Sequence, residues 1–173
     1  MLHVHSLAIA LLFVGTATAA FATTPPLSAE ELTVCAQRVQ QLRQQSPELL
    51  QRNADHDARR DEILARRRAL DTTSMSRDKD DLAAGLEIRR QRNALNGDAL
   101  ALNREIQKLR DEISANSKVR DAYDSDCARR PYSRNALNQL PQAQQDAMRA
   151  GLADIQAPEL PRDLKPLPGV DTP

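Results

Sequence analysis

Two cysteines placed on two separate heptad seams constrain this chain more than any other feature. Stepping alternately by three and four residues from Leu32 reaches Cys35, Val39, Leu42, Ser46, Leu49, Asn53, His56, Arg60, Ile63, Arg67 and Leu70. The same stepping backward from Cys127 reaches Tyr123, Arg120, Asn116, Ile113, Leu109, Ile106, Leu102, Ala99, Leu95, Arg92 and Ile88. An apolar position every 3.5 residues on average keeps one stripe of a helix facing a partner helix. Both stripes are diluted by polar residues, and each cysteine lies on its own stripe. Pairing Cys35 with Cys127 in an antiparallel sense sets Val39 against Tyr123, Ser46 against Asn116, Leu49 against Ile113 and Asn53 against Leu109. The expected fold is all-α: a long antiparallel helical hairpin, a two-stranded coiled coil, closed by one disulfide. A short extra helix and a disordered Pro-rich C-terminal tail complete it.

Local signals agree with two long helices. Ser28 begins a Ser-Ala-Glu-Glu capping box with Glu31 at the third helical position. From there to Tyr123 the chain has one proline, Pro47, and two glycines, Gly85 and Gly97, among mostly good helix formers. Ser46-Pro47 reads as an N-cap followed by proline at a first helical position, which predicts a kink or a restart within the first arm. Two signals place the turn differently. The cysteine register centres it near Asp81, whereas the turn-forming residues are Asp71-Thr72-Thr73-Ser74-Met75-Ser76. A loop within 72–80 and an imperfect register are expected, with arms of ~60–70 Å at the helical rise. Arg60, Arg67 and Arg92 on the seams predict a half toward the tip that frays.

The segments are 1–22, a signal peptide; 28–127, the hairpin; 128–156, a short helical segment; and 157–173, the Pro-rich tail. Leu7 to Val14 is apolar and is followed by Ala17-Thr18-Ala19 and Ala20-Phe21-Ala22, so cleavage is expected after Ala22. The alternative is a retained anchor, although the apolar stretch is shorter than the ~20 residues a spanning helix needs. Two lone cysteines after a signal peptide are expected to pair in an oxidising compartment, periplasmic or extracellular. In the third segment, Ala128 to Ser133 breaks the helix. Pro141 to Ile155 then reads as a short helix with Ala147, Met148 and Leu152 on one face.

Composition narrows function by exclusion. Lys+Arg and Asp+Glu are 24 each, so no whole-chain charge draws the protein to nucleic acid or to an anionic surface. Aromatics are 2% of residues, and the chain has no Trp, so the stacking platforms of single-strand binders are missing. Asp55-His56-Asp57 invites a metal, but neighbours on a helix point to different faces. Asp78, Asp80 and Asp81 lack the glycine and distal glutamate of a helix–loop–helix calcium site. Neither a metal nor any other cofactor is expected, and no nucleophile with an oriented base suggests an enzyme.

Arg66, Arg67 and Arg68 with Arg89, Arg90 and Arg92 form a candidate basic band for an anionic partner. Asp61, Glu62 and Glu87 oppose that reading, with Glu62 and Arg66 at helical ion-pair spacing. Leu50, Leu64 and Leu100 lie beside the seams, as a third helix or a second copy of the chain would require.

The expected function is therefore an exported structural or interaction protein of a bacterial-type envelope. It would bind an unknown protein partner through helical surfaces and possess the means to self-associate. Two alternatives share this outline. The helical arms and export signal are similar to those of periplasmic holdase chaperones, though the trimerising strands and basic surface of that type are missing. If the first segment is retained, the chain resembles a membrane-anchored coiled-coil spacer of the phage spanin kind.

Overall fold

The computed structural model describes residues 25–160 and Leu167. The expected signal peptide, and the tail from residue 161 onward apart from Leu167, lie outside the described residues. Two long helices dominate: α1, Ala29–Ser76, and α2, Leu82–Asp126. Two short ones follow: α3, Arg134–Asn138, and α4, Gln142–Ala150. At ~1.5 Å per residue the two arms are each about 70 Å long. Their packing is the antiparallel hairpin expected from the seams, closed by a Cys35–Cys127 disulfide with the Cα atoms 5.8 Å apart.

Helix α1 starts at the capping box: the Ser28 hydroxyl accepts from the Glu31 N–H at 3.2 Å, and the Glu31 carboxylate accepts from the Ser28 N–H at 2.8 Å. Of the kink or restart expected at Pro47, the restart does not occur: the helix continues through it. Proline lacks an N–H, so the Arg43 carbonyl loses its usual helical donor there. Packing keeps the helix continuous, because Leu42, Ser46 and Leu49 are all buried on the seam around that point.

The cysteine register holds along the rod. Ser46 and Asn116 meet, with the hydroxyl donating to Asn116 Oδ1 at 3.3 Å. Leu49 packs with Leu109 and Ile113. Tyr123 packs into the cluster containing Val39 and Cys127. Farther out, Arg67 donates to Asn96 Oδ1 at 2.9 Å and Arg92 pairs with Asp71 at 2.8 Å. Two of the seam arginines, Arg67 and Arg92, thus find partners on the opposite arm.

The turn lies at residues 77–81, later than its most turn-like residues suggest. Thr72 and Thr73 are helical, their hydroxyls donating to the carbonyls of Arg68 and Ala69 at 3.0 Å each. Such back-bonding to the preceding turn lets hydroxyl residues stay in a helix. The aspartates make the turn instead. Asp78 Oδ1 accepts from the Asp80 N–H at 3.0 Å, and Asp81 caps α2 by accepting from the Ala84 N–H at 2.9 Å. The arms are nearly equal, 48 and 45 residues, so the pairing set by the cysteines runs out to the turn.

A third layer, made by α3 and α4, covers the disulfide end. α4 carries the face foreseen for it: Ala147 and Met148 are buried and Leu152 packs alongside. α3, which no strong signal marks, adds Leu137, and the linker to α4 adds Leu140. Together with Leu27, Leu32, Ala36 and Val39 they form one core around the two cysteines. Each large apolar side chain buried here contributes about 1.5–3 kcal/mol.

Candidate functional site

The disulfide end is held by three arginines that each bridge elements distant in sequence. Arg38, from α1, donates to the Ala122 carbonyl at 2.9 Å and to Asp126 Oδ2 at 2.8 Å, and lies 3.8 Å from Cys127 Sγ. Hydrogen bonds from Ser125 and then Arg38 hold the Asp126 carboxyl below its ordinary range. Arg43 grips Asp154 with two bonds of 2.7 and 2.9 Å and also donates to the Gly151 carbonyl at 2.9 Å. That fork raises the Arg43 pKa and lowers that of Asp154, chiefly through the hydrogen bonds themselves.

Arg130 ties the second arm's end to the start of the first. It reaches Glu31 at 2.7 and 3.1 Å and the carbonyls of Pro25 and Pro26 at 3.2 and 3.4 Å. The Arg130 hydrogen bond, followed by those from Ser28, takes the Glu31 carboxyl down to about 2. Cys35 and Cys127 beneath are 2% and 5% exposed, so the disulfide is shielded from attacking thiols.

The six arginines of the proposed basic band lie on facing arms in the half of the rod near the turn. Four are engaged within the chain: Arg66 with Glu62 at 3.7 Å, Arg67 with Asn96, Arg90 with Glu87 at 2.8 Å, and Arg92 with Asp71. Arg68 and Arg89 are exposed and make no side-chain hydrogen bond or ion pair to the described residues. A shallow groove of about 300 Å3 runs beside Arg66 between Leu70, Ala94, Leu95 and Asp98.

His56 sits at the seam edge with its side chain 11% exposed, and its Nε2 lies 3.6 Å from Glu105 Oε2. Glu105 is bound more closely by Arg59, whose hydrogen bond lowers the carboxyl pKa. Asp55 and Asp57 both face solvent and do not join the histidine. Asp78, Asp80 and Asp81 are occupied as turn and cap residues. Among the described residues, no group of three or more His, Cys, Asp or Glu is placed to hold a metal ion.

The feature that the heptad reading missed is at the tip. Met75, Leu82 and Leu86 are 81%, 77% and 65% exposed, all within two helical turns of the loop. Leu82 and Leu86 are four residues apart and so share one face of α2. Their signal was available, since both fall off the α2 seam. They became conspicuous only once the turn was placed beside them. Of the off-seam leucines noted earlier, Leu50 and Leu64 are half-buried and Leu100 is 38% exposed. Among the described residues no helix is long and apolar enough to cross a membrane.

The class of protein thus defined is a disulfide-closed, all-α hairpin with a capped base and an open apolar tip. Compared with models of known families, curated proteins and solved structures, the chain matches none.

Proposed function

We propose that the chain is an exported, non-enzymatic interaction protein that engages a partner protein with the tip of its hairpin. The observation that carries this reading is the exposure of Met75, Leu82 and Leu86 together at the end of the rod remote from the disulfide. Large apolar side chains clustered on a surface mark interaction sites. The loop beside them mixes both signs, Arg77, Asp78, Lys79, Asp80 and Asp81, which suits a protein surface better than a uniformly anionic membrane. Arg68 and Arg89, unengaged within the described chain, supply anionic-partner contacts along the same half.

Export is supported by the sequence of residues 1–22 and by the Cys35–Cys127 disulfide, a cross-link characteristic of oxidising compartments. The periplasm or the extracellular space is the corresponding compartment, with cleavage after Ala22. Mass spectrometry of the mature amino terminus tests that part; an intact Met1 supports the anchored spacer instead.

The tip is tested by placing a photocrosslinking residue at position 82 in one variant and at position 100 in another, in the full chain expressed in its host. A discrete adduct from position 82 that disappears when Met75 and Leu86 are changed to Asp is the expected result. Equal labelling from both positions, or none from 82, overturns it. The same apolar tip favours one other reading, a holdase. Suppression of aggregation of unrelated unfolded proteins, without a discrete adduct, would establish that reading in place of a specific partner.

A further inference from the structure

We propose that the seam around Ala99 is a leucine-accepting socket and that its occupant is this chain's own C-terminal segment, inserted through Leu167. Leu167 is 1% exposed, although it stands in a stretch of sequence dense in proline. It belongs to one core cluster with Ile63 of α1 and Leu95, Ala99, Leu102 and Ile106 of α2. None of these five belongs to the core that α3 and α4 cover at the disulfide end. A two-helix seam buries each residue on one side only, so a side chain from a third segment is what completes burial there. Ala99, 0% exposed, supplies the small residue that leaves room for a branched side chain between the arms.

The chain has the reach to do this intramolecularly. Arg120 holds the Ile155 carbonyl at 3.2 Å, which fixes where the segment after α4 departs. From the level of Arg120 to that of Leu102 the rise along α2 is about 27 Å. The roughly 12 residues from Ile155 to Leu167 can span up to about 40 Å when extended. Pro166 and Pro168 flank the leucine in sequence, and proline has a fixed φ and no N–H. A segment so restricted loses less conformational entropy on docking and leaves fewer backbone donors to satisfy. The socket therefore accepts a leucine flanked in sequence by prolines, and Leu167 brings to this part of the rod a third-segment side chain that α3 and α4 do not supply there.

Hydrogen exchange on full-length protein tests the inference, with Leu167→Asp, Leu167→Ala and, as a control, Leu160→Asp, since Leu160 is 48% exposed. Both Leu167 variants should speed exchange of amides in 60–70 and 95–106 by about ten-fold or more, leaving 30–42 and 113–126 as they were. Leu160→Asp should change neither region. A synthetic peptide of residues 159–173 added to the Leu167→Asp protein should restore the slow exchange, and the same peptide carrying Leu167→Asp should not. Unchanged exchange in both Leu167 variants, an equal effect from Leu160→Asp, or failure of the peptide to restore protection overturns the proposal. Protection that depends on protein concentration, with a dimer in light scattering, overturns it in favour of a second copy's tail.

Discussion

Asn116 is 1% exposed, and its amide nitrogen has no hydrogen-bond partner among the described residues. Its oxygen accepts from the Ser46 hydroxyl, also fully buried, and Ile113 lies on the same seam. Leucine has the same branching and heavy-atom count as asparagine, so Asn116→Leu changes polarity far more than shape. Three terms decide the sign. Removing a buried, unsatisfied donor gains about 1–3 kcal/mol, and the loss of the Ser46 bond costs about 0.5–1.5 kcal/mol. Extra apolar burial, set against mild overpacking of about 1 kcal/mol, adds a small further gain. The Ser46 hydroxyl need not be stranded, because Pro47 leaves the Arg43 carbonyl, three residues back, without its helical donor. The net expectation is stabilisation by about 1–2 kcal/mol, or roughly 3–6 °C in melting temperature. In many coiled coils a buried asparagine fixes register at a cost in stability. Here the disulfide already fixes it, so the leucine should not release the arms to slip. Thermal and urea melts followed by circular dichroism on the oxidised protein are the assay. A fall in melting temperature, or a broadened transition showing lost cooperativity, would refute the reasoning.

Other outcomes follow from the same structure. Replacing both cysteines by serine removes a cross-link between residues 92 apart in sequence and should cost about 3–4 kcal/mol, lowering the melting temperature by roughly 10 °C; equal melts with and without reductant would refute it. Glu31 has its folded pKa lowered from 4.5 to about 2, so its contribution to stability is complete above pH 4.5 and is lost as pH falls through 2. Glu31→Gln should therefore flatten that part of the acid titration, and melts between pH 6 and pH 2 check it. Gly151 closes α4 at φ 64°, a conformation open to glycine but strained for other residues. Gly151→Ala should cost about 1 kcal/mol and speed hydrogen exchange in α4 before the arms are affected.

Much of this architecture is legible in the residues because a coiled coil writes its contacts at fixed spacing. The two seams and the cysteines specify register, and Ser46 against Asn116 is a pairing that could be named from spacing alone. The turn was harder. Thr72, Thr73 and Ser76 have side chains that suit a turn or a helix equally, depending on whether the preceding carbonyl is free to accept. The register argument, which points to Asp81, had more information than local propensity, because each layer of the rod contributes to it. α3 is five residues long and stabilised by docking of Leu137, so nothing periodic announces it. Leu167 belongs to no repeat, and only its three-dimensional neighbours distinguish it from Leu160. The candidate site divides likewise. Arg66, Arg67, Arg68, Arg89, Arg90 and Arg92 stand out as runs, yet which of them are engaged depends on cross-arm geometry. The tip leucines looked like ordinary off-seam residues until a turn was set beside them.

The cross-link joins the second turn of α1 to the residue that ends α2, at the opposite end from the loop at 77–81. A reduced chain seeking its hairpin has two places to begin. Starting at the loop closes only a few residues, but the first layers there contain arginine and asparagine and return little burial. Starting at the well-packed base means closing a loop longer by roughly four doublings, an extra entropy cost of about 2–3 kcal/mol. The short closure and the rich contacts are at opposite ends of the rod, so zipping must cross a poor stretch before it is rewarded. With the sulfur bridge intact that conflict disappears, since the best layers are already neighbours in the unfolded chain. Oxidation thus decides not only how firmly the arms are held but from which end they come together.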